Sequence, residues 1–315
     1  MKAVAVKEFK AIPQLLDVAE PAVKEGFIKI KIAAAGLNPF DWKTIDGILK
    51  DHMPHVFPLI IGADAAGVVV ETGAGVTRFK TGDKVYGQVL HSPVGEGAYA
   101  EYVAVPETAP ITKAPENVPL ADAAAAPTAG MTAMQLIDKT GLRSGQTLLL
   151  IGATGGVGSF ATQVAKIKGI KVIATVSSEA AAKRIKSLGA SETIDYKKAP
   201  VEEQFPGGAD ALIDLVSDAA GFEKMSALVK RGGAALTTQF VADKTRLEEK
   251  GLHGGNFETK STAASLDALR ALIDSKEIVI PVDRRLSLAQ APAAIAESRE
   301  RKSKGKTIIV IDETV

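Results

Sequence analysis

Short apolar runs dominate the first third of the chain. Up to about residue 120 these runs are separated by Gly, Pro, Asn or Asp, a pattern that predicts β-strands joined by turns. The runs are GFIKIKIAAAG (26–36), AAGVVVETGAG (65–75), GDKVYGQV (82–89) and GAYAEYVAV (97–105). The first nine residues, MKAVAVKEF, alternate apolar and polar positions, which predicts an edge strand.

The pattern changes near residue 121. A stretch of small residues, ADAAAAPTAGMTAMQLIDKT (121–140), predicts helix, and predicted strands and helices then alternate. The strands TLLLI (147–151), KVIATV (171–176) and ADALIDLV (209–216) precede the helices SFATQVAKIKG (159–169), EAAAKRIKSLG (179–189) and AGFEKMSALVKRGG (220–233), and the strand AALTTQF (234–240) follows. This alternation predicts βαβ units and a parallel sheet covered on both faces.

Short strands return after residue 276. IVIPVDRRLSL (278–288) and KTIIVID (306–312) predict strands around one helix, AQAPAAIAESRERK (289–302). We therefore predict an α/β fold class in which a doubly wound domain, residues 123–276, is inserted into a β-rich domain formed by residues 1–122 and 277–315.

Composition narrows the classes of partner. The chain has 315 residues, and its 38 Lys and Arg residues nearly balance its 37 Asp and Glu residues, with no long block of either sign. This distribution does not favour binding to nucleic acid or to an anionic membrane, and we expect small-molecule partners. The N-terminus lacks the apolar core of a signal peptide, and no apolar run approaches the roughly 18 residues of a membrane span, so we expect a cytoplasmic protein.

Cysteine is absent from the sequence. Disulfides, a thiolate nucleophile and every cysteine-ligated zinc site are therefore excluded. His52 and His55 have a metal-like spacing, but Pro54 interrupts it and no third ligand is near, which favours a solvated loop. We predict no metal site.

A glycine-rich segment, LLLIGATGGVGSF (148–160), joins a predicted strand to a predicted helix. A glycine turn before a helix N-terminus exposes backbone N–H groups and the positive end of the helix dipole, which favours a phosphate. The six positions of the dinucleotide fingerprint G-x-G-x-x-G are occupied by Ala153, Thr154, Gly155, Gly156, Val157 and Gly158, with alanine replacing the first glycine. The alternative is a tight turn packed for its own sake.

The end of the next predicted strand bears on the choice of cofactor. An acid there would accept the ribose hydroxyls of NAD, but this strand is followed by Ser177 and Ser178, and the first acid is Glu179 in the next helix. Hydroxyl groups without an acid favour the 2′-phosphate of NADP. Helix N-capping by serine is the alternative, and both roles are compatible.

Five segments in order along almost the whole chain resemble the medium-chain dehydrogenase/reductase superfamily. They are AAAGLNPFDWKTIDG (33–47), IGADAAGVVVETGAGVTRFKTGDKVYG (61–87), GGVGSFATQVAK (155–166), SLGASETIDY (187–196) and GKTIIVI (305–311). The branch they resemble is that of the zinc-independent quinone oxidoreductases, similar to zeta-crystallin and the alkenal reductases. The resemblance implies a GroES-like catalytic domain, a Rossmann domain and a homodimer or homotetramer.

The same resemblance implies chemistry without zinc. Zinc-dependent relatives carry a cysteine near positions 36–38 and a His-Glu pair within the GADAAG segment, where this chain has Asn38 and the pair Ala63 and Asp64. What remains is hydride transfer from NADPH to a carbon made electrophilic by conjugation, in a quinone or an α,β-unsaturated carbonyl.

The site residues follow from the resemblance. Asn38 and Asp41 are expected to have positioning roles in the turn beside the nicotinamide, with Thr128 at the same end. Thr154, Gly155, Gly156, Val157 and Gly158 are expected at the pyrophosphate, Ser177, Ser178 and Tyr196 in the 2′-phosphate region, Phe240 with residues 253–257 at the nicotinamide pocket, and Lys306 near the cofactor. The alternatives are turn roles for Asn38 and Asp41, core packing for Phe40 and Trp42, and an ordinary surface position for Tyr196.

Two positions depart from the family pattern. Lys43 stands where many quinone reductases have a tyrosine, so a tyrosine proton donor is not expected. Ala180 and Ala181 stand where a basic residue often follows the serines, and Lys183 and Arg184 come later in the predicted helix. A NADPH-binding regulatory protein without turnover is the alternative function, and a scaffold without cofactor affinity is a third.

Overall fold

A computed structural model describes residues 1–300 and 305–315. Its strands are β1 (Lys2–Val6), β2 (Gln14–Asp17), β3 (Phe27–Gly36), β4 (Leu59–Ile60), β5 (Asp64–Thr72), β6 (Lys84–Gln88), β7 (Tyr102–Pro106), β8 (Ile111–Lys113), β9 (Thr147–Ile151), β10 (Lys171–Val176), β11 (Glu192–Asp195), β12 (Ala209–Asp214), β13 (Val229–Thr237), β14 (His253–Asn256), β15 (Val282–Ser287) and β16 (Lys306–Val310).

Its α-helices are α1 (Pro39–Ile45), α2 (Leu120–Ala123), α3 (Pro127–Thr140), α4 (Gly156–Ile167), α5 (Glu179–Leu188), α6 (Val201–Gln204), α7 (Ala219–Ser226), α8 (Lys244–Glu249), α9 (Ala263–Asp274) and α10 (Ala291–Arg299), and Leu288–Gln290 form a 3₁₀ turn. Within the described ranges, no helix is both long enough and apolar enough to cross a bilayer.

The chain forms two compact units. Unit 1 contains Met1–Thr128 and Ser261–Val315, and unit 2 contains Ala129–Lys260. The domain limits drawn from the sequence, at 122/123 and 276/277, stay a prediction. The expected α/β class, with a GroES-like part and a doubly wound part, is confirmed.

Unit 1 is built on a large mixed sheet. Its strand order is β15-β16-β3-β5-β6-β8, with β7 also paired to β3, and a smaller antiparallel sheet has the order β2-β1-β4. β3 alternates half-buried and buried residues as far as Ile32 and is then buried continuously to Gly36. The last part of β3 therefore leads into the interior of unit 1, where a polar side chain needs a hydrogen-bond partner.

Unit 2 is built on a six-stranded parallel sheet. Its order, β11-β10-β9-β12-β13-β14, places the first three strands on one side and the last three on the other. The order reverses beside β9, the position where doubly wound folds bind ligands outside the carboxyl ends of the strands. The parallel sheet predicted from the alternating pattern is confirmed, and β9 and β10 have the predicted bounds.

Two expectations about single elements are wrong. β1 is not an edge strand, because it pairs with β2 on one side and β4 on the other, and all its residues except Lys2 are buried. The helix predicted over 220–233 ends at Ser226, because β13 starts at Val229 and pairs with β12. Gly232 and Gly233 within β13 also disfavour helix.

Two predicted helices differ in extent. The stretch 121–140 forms two helices, α2 and α3, and α3 begins at Pro127, a residue that suits the first helical position. The helix predicted over 289–302 is α10, Ala291–Arg299. Residues 301 and 302 of that prediction lie outside the described part of the chain.

Candidate functional site

The turn after β3 places Asn38 and Asp41 in the interior of unit 1. Asn38 precedes α1 with extended backbone, and Pro39 opens the helix. Asp41, in the first helical turn, accepts a hydrogen bond at Oδ2 from the Asn38 backbone N at 2.8 Å. This hydrogen bond agrees with the alternative interpretation of Asn38 and Asp41 as turn residues. Both side chains also have further partners.

The side-chain amide of Asn38 is held at both ends. Nδ2 donates to Asp64 Oδ2 at 2.8 Å and to the carbonyl oxygen of Gly36 at 3.2 Å. Oδ1 accepts from Lys306 Nζ at 2.8 Å, and Lys306 also donates to the carbonyl oxygen of Leu37 at 3.0 Å. Both amide hydrogens are thus engaged, and the ammonium determines which end of the amide carries the oxygen.

Asp41 also accepts hydrogen bonds from outside its own turn. Tyr99 Oη donates to Oδ2 at 2.7 Å, and the backbone N of Ala63 lies 3.3 Å from Oδ1. Burial of the side chain raises the pKa of Asp41 to about 7, against the opposing effect of the hydrogen bonds from Asn38 N and Tyr99. Burial also raises the pKa of Tyr99 well above its ordinary value, so the phenol remains a donor.

Asp64 connects Asn38 to Thr128. It is the first residue of β5 and is completely buried. Thr128 donates to it twice, from its backbone N to Oδ2 at 3.0 Å and from Oγ1 to Oδ1 at 2.6 Å, and Gln88 Nε2 donates to Thr128 Oγ1 at 2.5 Å. Burial raises the pKa of Asp64, whereas nearby Lys306 and the three hydrogen bonds lower it.

We call this set the buried polar cluster; it comprises Asn38, Asp41, Asp64, Tyr99, Thr128 and Lys306. Lys306 supplies the ammonium of the cluster. Burial lowers its pKa, whereas the charges of Asp64 and Asp41 raise it. The structure brings together four residues that the sequence reasoning named, namely Asn38, Asp41, Thr128 and Lys306. That reasoning missed Asp64 and Tyr99. A carboxylate among small apolar residues in IGADAAG was the available signal.

The aromatic residues of the turn are only half-buried. Trp42 packs against the main core of unit 1, and the cationic groups of Lys43 and Arg299 lie 5.7 Å and 5.5 Å from its ring. Phe40 lies at the opening of α1. Core packing was the alternative for both rings, and it applies in part to Trp42, which is half-buried against this core.

Unit 2 contains the glycine turn between β9 and α4. Gly152 has φ of +82°, which L side chains rarely adopt, and its backbone N donates to Thr175 Oγ1 at 3.2 Å. α4 begins at Gly156, and no side chain caps its N-terminus, because the N-cap residue is Gly155. Thr154 lies in the turn. The first N–H groups of α4 are thus left for another acceptor.

Gly155 and Gly158 differ in the space around them. A Cβ atom on Gly158 would lie 2.4 Å from the Gly152 carbonyl oxygen and 2.6 Å from Ala153, so α4 packs directly against the turn. A Cβ atom on Gly155 would have only one neighbour within 4 Å, the Gly152 carbonyl oxygen at 3.5 Å. Close packing at the last glycine and open space at the middle one are what a pyrophosphate-binding turn requires.

The end of β10 lies beside the end of β11. Val176 pairs with Asp195, and the backbone N of Tyr196 donates to the Val176 carbonyl oxygen at 3.2 Å. Ser178 is the N-cap of α5, and its side chain accepts from Ala181 N, so its predicted capping role is confirmed. Ser177 is half-buried and the side chain of Tyr196 is 52% exposed.

Phe240 follows β13 at the carboxyl edge of the same sheet. Its φ is +58°, an unfavourable backbone conformation for a residue with a side chain, and its side chain is 61% exposed. The segment 253–257 forms β14 and the following Phe257, whose backbone N donates to the Thr237 carbonyl oxygen at 2.8 Å. Both predicted nicotinamide-pocket elements therefore belong to one edge of unit 2.

Of the two histidines expected in a solvated loop, only His52 is exposed. His52 is exposed, but the His55 ring packs edge-on against Phe9, with 5.0 Å between ring centroids, and its Nε2 is buried. This expectation is wrong for His55 because the apolar side of its ring is covered.

Comparisons with known proteins cover both units. Residues 24–116 match the alcohol dehydrogenase GroES-like domain family, and residues 156–274 match the family described as zinc-binding dehydrogenase. The chain is 34% identical over 300 residues to 2-methylene-furan-3-one reductase of Solanum lycopersicum, a match that covers 93% of this chain and 74% of that protein. The chain belongs to the medium-chain dehydrogenase/reductase superfamily.

Two further matches identify the branch of the superfamily. NADPH-dependent alkenal/one oxidoreductase of Arabidopsis thaliana is 36% identical over 223 residues, which span 69% of this chain and 56% of that one. The structure of the quinone oxidoreductase from Coxiella burnetii superposes with a TM-score of 0.88 at 29% identity, covering 98% of this chain and 99% of that one. The predicted resemblance to the quinone oxidoreductase and alkenal reductase branch is confirmed.

The side chains of this superfamily member do not fit a zinc ion. It has no cysteine, and the described residues include no group of three or more His, Cys, Asp or Glu side chains placed to hold a metal. Asp64 directs both carboxylate oxygens at hydrogen-bond donors, Asn38 and Thr128. A zinc ion at Asp64 would have to displace those donors.

Proposed function

We propose that this protein is an NADPH-dependent reductase that transfers hydride to quinones or α,β-unsaturated carbonyls. The observation that carries the proposal is the glycine turn of unit 2, with an uncapped α4 N-terminus, open space at Gly155 and close packing at Gly158. Membership of the quinone oxidoreductase and alkenal reductase branch supports the same reaction. When bound, the reduced nicotinamide supplies the hydride.

In unit 2 the proposed task is to hold the phosphates. The turn residues Thr154, Gly155, Gly156, Val157 and Gly158 bring backbone N–H groups and the helix dipole to the pyrophosphate. Ser177, Ser178 and Tyr196 take the 2′-phosphate region, where no acid ends β10. The hydroxyl of Ser178 already accepts the Ala181 N–H, and it still has a hydrogen to donate.

In unit 1 the proposed task is to position the reacting groups. Asn38 and Thr128 face the nicotinamide end of the cofactor, and Asp41 and Lys306 hold Asn38. Because both amide hydrogens of Asn38 are engaged, its contribution to a ligand is the remaining acceptor capacity of Oδ1. Phe240 of unit 2 is proposed as an apolar contact for the nicotinamide ring, supported by its exposure.

The assembly and location remain further parts of the proposal. We propose a homodimer or homotetramer in the cytoplasm. Light scattering coupled to size-exclusion chromatography measures the first, and fractionation of the source cells measures the second. A monomer at micromolar concentration would contradict the proposed assembly.

The test of function is an absorbance assay of NADPH oxidation with a simple quinone and a simple enone, with a primary alcohol plus NADP⁺ in parallel. Oxidation of NADPH by the quinone or the enone, with little oxidation of NADH, is the expected result. NADPH binding without turnover of any acceptor would favour a regulatory protein instead. Turnover of the alcohol would contradict the proposed reaction class.

A further inference from the structure

Asp64 is fixed in place by strand pairing before any ligand binds. As the first residue of β5 it lies opposite Gly36 of β3 and opposite Gln88 of β6. Its side chain is completely buried, so its position depends on the sheet and its hydrogen bonds rather than on solvent. The carboxylate is therefore a rigid reference point within unit 1.

Within the part of the chain that the structure describes, this carboxylate accepts hydrogen bonds from two residues. Asn38 donates from Nδ2 at 2.8 Å, and Thr128 donates from its backbone N at 3.0 Å and from Oγ1 at 2.6 Å. These three hydrogen bonds use three of the roughly four lone-pair positions of the carboxyl group, so Asp64 acts as an acceptor towards both residues.

Asn38 and Thr128 come from distant parts of the sequence, the cap of α1 and the first turn of α3. Their approach depends on Gly36, because a Cβ atom there would lie 2.1 Å from the Ala124 carbonyl oxygen and 3.2 Å from Asp64 Cβ. The absence of a side chain at position 36 lets the segment before α3 pack onto the end of β3. Asp64 then receives donors from both segments.

We propose that Asp64 is a positioning residue that fixes Asn38 and Thr128 relative to each other for hydride transfer. The inference rests on the proposed function, which assigns both residues to the nicotinamide end of the cofactor. Lys306 completes the arrangement by donating to the opposite end of the Asn38 amide. Asp64 itself does not touch the cofactor or the acceptor in this role.

The central variant is Asp64→Asn, which keeps the shape of the side chain and replaces one acceptor oxygen by a donor. That NH₂ group takes the place either of the oxygen that accepts from Asn38 Nδ2 and Thr128 N or of the oxygen that accepts from the Thr128 hydroxyl, so at least one of the three hydrogen bonds is lost. We expect kcat with a quinone or an enone to fall about 10- to 100-fold, as for a misplaced reacting group. The dissociation constant of NADPH, measured by nucleotide fluorescence, should change less than about threefold, because the phosphates are held in unit 2.

Thr128 variants test whether Asp64 acts through this neighbour. Thr128→Val removes the hydroxyl donor at similar shape, and Thr128→Ser retains it. We expect Thr128→Val to lower kcat, Thr128→Ser to lower it less than Thr128→Val does, and the double variant Asp64→Asn with Thr128→Val to be no slower than the slower single variant. A residue that only stabilises the fold would not produce this non-additivity.

Asp122→Asn is the matched control. Asp122 is also a largely buried carboxylate of unit 1, with 17% of its side chain exposed, and both its oxygens lie 2.7 Å from Arg285 Nη2. Its carboxylate accepts from Arg285, on the side of a different strand, β15. The substitution Asp122→Asn should therefore leave kcat at the wild-type value.

The outcomes separate this inference from the proposed function. If the wild-type chain does not oxidise NADPH with any of the acceptors, the proposed function is overturned, and the proposed role of Asp64 is overturned with it. An active wild type with an unchanged kcat in Asp64→Asn, or multiplicative losses in the double variant, overturns the role of Asp64 alone. If circular dichroism shows that Asp64→Asn does not fold, the two Thr128 variants provide the test instead. A wild-type rate in Thr128→Val then overturns the proposal.

Discussion

Lys306 Nζ lies 2.8 Å from Oδ1 of Asn38, although 268 positions separate the two residues in the sequence. Strand pairing produces this contact, because β16 lies antiparallel to β3 and Ile308 is opposite Gly36. Lys306 is 3% exposed, and the carboxylates of Asp41 and Asp64 are the negative groups that favour its charge. The ammonium thus compensates two buried carboxylates at the end of β3.

Replacement of Lys306 by methionine should therefore destabilise the fold. At a pH above the Asp41 pKa of about 7, the variant leaves two buried carboxylates without a cation, and breaking a buried charged set by removing one partner costs about 3–5 kcal/mol. Denaturant unfolding followed by circular dichroism measures the loss. Lys113→Met is the control, because Lys113 is 59% exposed and 3.9 Å from Asp83, and such a pair contributes about 1 kcal/mol or less. Equal losses in the two variants would contradict the assigned role of Lys306.

The glycine turn gives a prediction that separates packing from binding. Gly158→Ala places a Cβ atom 2.4 Å from the Gly152 carbonyl oxygen, and such overpacking costs about 1–3 kcal/mol. Gly155→Ala has room and a permitted φ of −73°, so it should fold like the wild type. We nevertheless expect Gly155→Ala to weaken NADPH binding, because the new methyl group occupies the open side of the turn.

Thermal unfolding and a fluorescence titration with NADPH measure the two effects. The expected result is a lower melting temperature only for Gly158→Ala and a weakened affinity for Gly155→Ala. Wild-type affinity in Gly155→Ala would show that the phosphates do not bind at this turn.

The end of β10 gives a prediction about cofactor choice. Ser177→Asp places a carboxylate where the 2′-phosphate is proposed to bind, and at 4 Å like charges in water repel by about 1 kcal/mol, more near a protein surface. We expect NADPH to lose at least about fivefold in kcat/KM relative to NADH. Ser191→Asp, an exposed serine just before β11 and thus at its amino end, is the matched control and should leave the ratio unchanged. A ratio unchanged in Ser177→Asp would remove Ser177 from the 2′-phosphate region.

The accuracy of the sequence reasoning depended on how local each feature is. β9 and β10 have the predicted bounds because a continuous apolar run between turn residues marks a buried strand whatever its neighbours are. The pattern of apolar and polar residues does not show which strands pair. The alternation in the first nine residues therefore predicted an edge strand, whereas β1 lies between β2 and β4. The helix-like spacing around Met225 predicted one helix to residue 233, but α7 ends at Ser226 and β13 begins three residues later, at Val229.

The same distinction applies to the site. The glycine turn is one continuous segment, and its glycines predicted a turn between a strand and a helix, which the structure has between β9 and α4. The buried polar cluster gathers side chains from the start of α1, β5, the segment before β7, α3 and β16. The pairing of β5 and β16 with β3 brings Asp64 and Lys306 to the turn that carries Asn38. Asp64 and Tyr99 were missed because no local spacing relates them to Asn38.

The buried carboxyl of Asp41 gives the last prediction, a pH dependence of stability. Burial raises the pKa of Asp41 from 3.8 to about 7 in the folded chain. Between these values the folded state retains a proton that the unfolded state releases, so stability falls as pH rises, by at most about 1.4 kcal/mol per pH unit, and levels off above the folded pKa. Asp41→Asn cannot ionise and lacks this dependence.

The difference in unfolding free energy between the wild type and Asp41→Asn should therefore shift in favour of the variant as pH rises from about 5 to about 7. The hydrogen bonds lost in the variant add a cost that does not vary with pH over this range, so the slope reports the ionisation. Asp312→Asn is the control, because hydrogen bonds from Lys31 and Thr314 lower the pKa of Asp312 to about 2. Its contribution is lost only as pH falls below its ordinary value, so its difference from the wild type should stay constant in the same range. A constant difference for Asp41→Asn would mean that the carboxyl is already ionised at the lower pH.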